Sequence, residues 1–128
     1  MEDLETSLFG APLAELIQKV SFSRRLGCVW ELIVQGYRDS ELTLEEAAKH
    51  CGISRSHLNA LLDERVGLSF HQLLTHYRLW MAIRMMKEKD YTMLEIALEN
   101  GFDNPSNFSR HLRRVFSVSP RQFRQRIL

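Results

Sequence analysis

Proline is scarce in this chain, standing only at positions 12, 105 and 120, so few backbone positions are barred from a helix. Clusters of β-branched residues with a period of two are missing, which argues against sheet. No apolar run approaches the ~18 residues of a membrane span, and no membrane role is expected. The acidic start, Met1-Glu2-Asp3-Leu4-Glu5, lacks the positive flank of a secretory signal. The two cysteines, Cys28 and Cys51, have no C-x-x-C spacing, so a structural disulfide is not expected and a reducing cytoplasm is the simplest home. The histidines at 50, 57, 71, 76 and 111 form no metal-ligand pattern. Glycine-rich phosphate loops, H-E-x-x-H and G-x-S-x-G are lacking too, so neither an enzyme nor a cofactor is expected. The adjacent acids Glu45-Glu46 fall in an early helical turn, where dipole and capping explain them better than catalysis.

What is present is charge separated along an otherwise ordinary globular composition. The net charge is only +1, but residues 102–128 hold six arginines against Asp103 alone. Residues 1–39 and 40–68 each carry a net of −2. A basic end on a near-neutral chain points to a local face for a polyanion, although a solvated helix surface would look similar.

Apolar residues recur at three and four, so helix is expected nearly throughout. The same unit is also written twice. At an offset of 49, Thr43-Leu44, Glu46, Ala48 and Gly52-Ile53 match Thr92-Met93, Glu95, Ala97 and Gly101-Phe102. After one inserted residue, Leu58, Leu62, Val66, Leu68, Ser69 and Gln72 match Phe108, Leu112, Phe116, Val118, Ser119 and Gln122. Each copy reads as helix, tight turn, helix. Thr43 and Thr92 stand at N-cap positions with a glutamate three residues on, the spacing of a capping box. Gly52 and Gly101 supply the left-handed turn. Ser54 caps one second helix; Asp103 or Asn104, with Pro105 in the first turn, caps the other. Ala48 and Ala97 are small where two helices must cross. The matched glycines and alanines favour two helix-turn-helix motifs over generic helical hairpins.

The fold class expected is all-α: two helix-turn-helix subdomains joined by a long central helix. The first motif is placed at about 43–66, the linker helix at about 70–89 and the second motif at about 92–116. A C-terminal helix follows at about 120–127. A linker of ~20 residues would span ~30 Å, close to the ~34 Å between successive major-groove faces. Its Trp80 and methionines are read as core rather than a cofactor pocket. Residues 1–24 are read as an N-terminal extension in which Leu13, Leu16, Ile17 and Val20 have helical spacing. Residues 25–128 form the main domain, with Cys28 to Tyr37 as its first helix.

The stretch 40–126 resembles the DNA-binding domain of the AraC/XylS family of bacterial transcription regulators. The residues that carry the resemblance are Ile96-Ala97, Gly101-Phe102, Phe108-Ser109-Arg110, Phe116, Val118-Ser119-Pro120 and Phe123-Arg124. Upstream, Ala48, Gly52-Ile53-Ser54, Leu58, Gly67 and Arg78 fit the pattern as well. Ser117 departs from it, standing where the family usually has glycine. The resemblance implies seven helices, recognition helices in adjacent major grooves and an asymmetric site on double-stranded DNA read by one monomer. It also implies contact with RNA polymerase and a cytoplasmic, nucleoid-associated regulator, read here as an activator. No ligand is evident, and monomer and dimer both stay open.

Base readers must face away from the core on the second helix of each motif. In the first motif these are Arg55, Ser56 and Asn59, with Ala60 and with His57 near them. Arginine suits guanine and asparagine suits adenine. The other side chains there are short, and Asp63 and Glu64 would repel phosphates. In the second motif Asn104, Ser106, Asn107 and Arg110 are the candidates, Arg110 foremost. Arg113, Arg114 and Arg121 suit phosphates. For each of them the bland reading is a solvated or intramolecular ion pair. The competing function is a protein-binding helix-turn-helix module that antagonises another regulator.

Overall fold

A computed structural model describes residues 24–88 and 90–127. Seven helices are found among the described residues: α1 (Arg24–Gly36), α2 (Leu44–His50), α3 (Arg55–Arg65), α4 (Phe70–Met86), α5 (Met93–Glu99), α6 (Pro105–Phe116) and α7 (Pro120–Ile127). Among the described residues α1 runs from Arg24, ahead of the Cys28 start expected from its apolar spacing. The helical spacing noted at 13–20 lies outside the described residues.

The caps appear where the side chains asked for them. Thr43 Oγ1 accepts from Glu46 N (3.2 Å) and Ser54 Oγ from His57 N (3.1 Å). In the second motif Thr92 Oγ1 accepts from Glu95 N (3.1 Å) and Asn104 Oδ1 from Asn107 N (2.8 Å). Asn104, not Asp103, is therefore the N-cap. The Thr92–Glu95 capping box is complete, with the glutamate returning a bond to the Thr92 backbone. In the Thr43 cap Glu46 reaches only the threonine hydroxyl, at 3.5 Å. The matched pairs Ser69/Gln72 and Ser119/Gln122 have a physical cause as well. Both are reciprocal caps, on α4 and α7 respectively.

Past each glycine the turn closes identically: Ile53 N donates to Ala48 O and Phe102 N to Ala97 O, both at 3.0 Å. Gly52 and Gly101 have φ of +68° and +86°, a region costly for any side chain. Gly67 (+76°) ends the first motif in the same conformation, and its repeat partner Ser117 adopts it too (+59°).

The central helix serves two cores in succession. Phe70, Leu73, Leu74 and Tyr77 pack with α1, α2 and α3, against Leu26, Val29, Ile33, Ala47, Ala48, Leu58 and Leu62. Leu79, Ala82, Ile83 and Met86 pack with Ile96, Ala97, Phe102, Phe108, Leu112 and Phe123. Trp80 touches both clusters, and Arg84 lies over its ring at 5.1 Å. The helix runs only from Phe70 to Met86, short of the residue 89 expected, so its 17 residues rise ~25 Å rather than ~30 Å. The extra residues, Lys87 and Glu88, are sound helix formers. Both are exposed and lie past Met86, the last buried position of the helix. Cys28 of α1 and Cys51 at the end of α2 are free thiols with sulfurs 2.6 Å apart. Burial, then the hydrogen bond with Cys28, pushes the Cys51 thiol up to about 12.

Candidate nucleic-acid interface

Each second helix fixes its buried side through two large apolar residues and so determines which residues can face outward. On α3, Leu58 and Leu62 are buried, which leaves Arg55, Ser56, His57, Asn59 and Ala60 exposed. On α6, Phe108 and Leu112 are buried, leaving Ser106, Arg110, Arg113 and Arg114 exposed and Asn107 half-buried. Arg121 is exposed on α7. The positions expected to face outward are exposed in both motifs except Asn107, which is half-buried.

The two faces differ in what their cations already hold. Arg55 Nη1 sits 2.7 Å from Glu45 Oε1, a surface ion pair between the two helices of the first motif. Asp63, Glu64 and Arg65 are all exposed further along α3. Among the described residues no acid pairs with the α6 arginines. Arg110 Nη2 donates to Asn107 Oδ1 (2.7 Å), one turn back toward the helix start, so the pair presents a guanidinium and an amide together. An open concavity lies beside them, lined by Pro105, Ser106, Ser109, Arg110 and Arg113.

Arg114 Nη2 donates to Nδ1 of His111 at 2.6 Å. A guanidinium is donor only, so this imidazole is neutral with its proton on Nε2. Burial first, and then the positive charges of Arg114 and Arg110, drive the His111 pKa down to about 4. The ring is half-buried, with His71 and Phe102 beside it at 6.4 and 5.9 Å between ring centroids. His111 thus aims Arg114, a role the sequence reading missed. The available signal was its position three residues after Phe108 and next to Leu112, on the flank of the buried stripe. Asn104 spends its side-chain oxygen on the cap, leaving only its amide to face outward.

A second residue not singled out for a role is Arg78. It is 5% exposed, and its Nε donates to Tyr37 O (2.8 Å) and its Nη2 to Asp39 O (2.6 Å). Burial lowers its pKa, while the charges of Asp39 and Asp103 oppose that shift. No helix among the described residues is long and apolar enough to cross a membrane, and those residues bring together no group of three or more metal-ligating side chains.

Comparison with known proteins gives this geometry a context. The family profile described as "Helix-turn-helix domain" matches residues 47–126. The HTH-type transcriptional regulator MtrA of Neisseria gonorrhoeae is 29% identical over 102 residues, which is 80% of this chain and 34% of that protein. An uncharacterized HTH-type transcriptional regulator of Staphylococcus aureus is 33% identical over 84 residues, 66% of this chain but 11% of that protein. The chain thus spans between about a tenth and a third of the length of these relatives. Among solved structures, the C-terminal domain of AraT, a response regulator from Geobacillus stearothermophilus, has a TM-score of 0.76 at 29% identity. The match covers 81% of this chain and 86% of that one. The DNA-binding domain of AdpA, solved in complex with a target DNA, has a TM-score of 0.74 at 25% identity, covering 81% and 93%. Two capped helix-turn-helix units on one shared helix, a profile match across both and these neighbours lead to one assignment: the chain belongs to the AraC-type helix-turn-helix family of transcriptional regulators, a DNA-binding family and not an enzyme family.

Proposed function

We propose that the chain reads an asymmetric site on double-stranded DNA by inserting α3 and α6 into successive major grooves, with α6 as the main base reader. The observation that carries this reading is the basic face of α6, where Arg110 and Arg114 are held by neutral side chains rather than by acids. Arg110 and Asn107 sit together beside an open concavity, with Arg113 and Arg114 available for phosphates. On α3, Ser56, His57 and Asn59 are close to the outer face and Arg55 is engaged with Glu45, so this helix mainly positions. Arg121 and the amide of Asn104 flank the second face. The family supports a role as activator through contact with RNA polymerase, in the cytoplasm and at the nucleoid.

Selection from random DNA duplexes, followed by a salt series on the winners, tests the reading. The expected result is an asymmetric site of two boxes about one turn apart. Its affinity should fall steeply with salt, as roughly six to ten phosphate contacts release counterions. Failure to enrich any sequence at low salt would sink it. In that case the exposed acids Asp63 and Glu64 on α3 favour the second reading, a helix-turn-helix module that docks on another regulator. Transcription with purified polymerase on the selected site tests the activator role, and no increase over the bare promoter would refute it.

A further inference from the structure

Arg78 lies where three segments meet, with Tyr37 and Asp39 on one side and Gly101 on the other. It is on the middle turn of α4, between the stretch that floors the first core and the stretch that floors the second. Its two hydrogen bonds go to backbone carbonyls of Tyr37 and Asp39, in the loop that leads into the Thr43 cap of the first motif. On its other side is Gly101, the turn glycine of the second motif. A Cβ at Gly101 would overlap the Tyr37 carbonyl and come within 2.6 Å of Arg78 Nε. The guanidinium is thus bonded to the entry of the first motif and abuts the turn glycine of the second. Arg38 and Glu99 face each other across the same seam at 4.0 Å, but both are exposed and contribute little.

We infer that Arg78 is a positioning residue that fixes the second motif against the first and thereby sets the spacing of DNA boxes the chain accepts. The inference rests on the two-groove reading above. Its physical basis is the difference between a backbone hydrogen-bonded latch and apolar packing. Apolar contacts on a shared helix hold two cores together but permit small rotations. Bonds from one planar group to two fixed carbonyls do not. Two linked readers gain from simultaneous engagement only when their geometry matches the two sites. Each added base pair turns the second box by about 34° around the duplex, so a rigid joint is selective for spacing and a loose one is not.

The test uses Arg78→Lys and Arg78→Met, with Arg38→Ala as a control on the same seam. Affinity is measured on the selected two-box site and on versions with one base pair added to or removed from the spacer. Wild type and R38A should lose ~30-fold on the altered spacers and R78K only ~3-fold, because strict geometry is what makes paired binding strong. An unchanged ratio across spacers in R78K would overturn the inference, whatever its absolute affinity.

A second measurement needs no DNA. Residual dipolar couplings of free wild type should fit one alignment tensor for both motifs, while R78K should need a separate tensor for each. A single tensor in R78K refutes the latch. Two tensors in R78K with no two-box site enriched for wild type would leave the latch standing and refute the DNA reading. R78K keeps a charge and one hydrogen bond, so it stays informative if R78M does not fold.

Discussion

The two motifs follow one plan, yet each shared position answers to different surroundings. Gly52 turns the first motif with nothing within 4 Å of where a Cβ would stand. Gly101 turns the second with a carbonyl and a guanidinium already in that space. At the end of the second helix the order reverses, since Gly67 adopts the left-handed conformation without a side chain and Ser117 adopts it with one. The recognition helices differ in the same way: α3 places its first arginine on Glu45, and α6 places Arg110 and Arg114 on neutral partners. A repeated sequence thus preserves the local grammar of caps and turns, while the surroundings decide what each copy can do.

The largest effect expected is at the turn glycines. Gly101→Ala adds left-handed strain and a steric overlap, costing roughly 3–5 kcal/mol. Gly52→Ala adds the strain alone, about 1–2 kcal/mol. Urea melts of the two variants check this, and equal losses would mean that the seam at Gly101 yields without cost. Next comes DNA binding. Arg110→Ala should weaken the selected site by about 1–3 kcal/mol and relax base choice in one box. Arg55→Ala should change affinity by less than about 1 kcal/mol, because a surface ion pair already occupies it. Competition binding against single-base variants separates them, and a larger effect at Arg55 would invert the assignment of main reader.

Smaller still is Ser117→Gly, expected to stabilise by about 1 kcal/mol, with Gly67→Ala destabilising by a similar amount. Thermal melts suffice, and opposite signs are the point of the pair. The most gradual effect concerns His111, which has an ordinary value of 6.5 and is held near about 4 when folded. The unfolded chain binds the proton first, so the contribution is intact above pH 6.5 and is lost as pH falls toward 4. Solvent screens the half-exposed ring and keeps the effect modest. Melts from pH 7 to 4 should show a shallower decline in His111→Gln than in wild type, and parallel curves would remove His111 from the account.

The parts of this structure legible in the sequence are those decided within a few residues. A threonine with a glutamate three positions on, or a glycine after an alanine-bearing turn, states its own geometry. The outward faces of α3 and α6 followed from Leu58, Leu62, Phe108 and Leu112, since helical spacing fixes the opposite side once one side is buried. The end of α4 was not legible, because Lys87 and Glu88 have good helix propensity and tertiary support decides where such a helix stops. Nor was the part played by Arg78, whose partners are carbonyls about 40 positions away that any residue type could provide. His111 fell between the two cases, visible as a flank residue but not as the acceptor for Arg114.

The division of α4 between two cores has a consequence for cooperativity. Neither motif owns the helix on which it rests, and the second half of each core disappears if that helix frays. An unfolding front that enters either motif reaches α4 and there meets the floor of the other, so the two motifs are expected to lose structure together. Two readers that must act together on one duplex are in this way also protected together. A cut between them at α4 would yield two open-sided fragments instead of two smaller proteins.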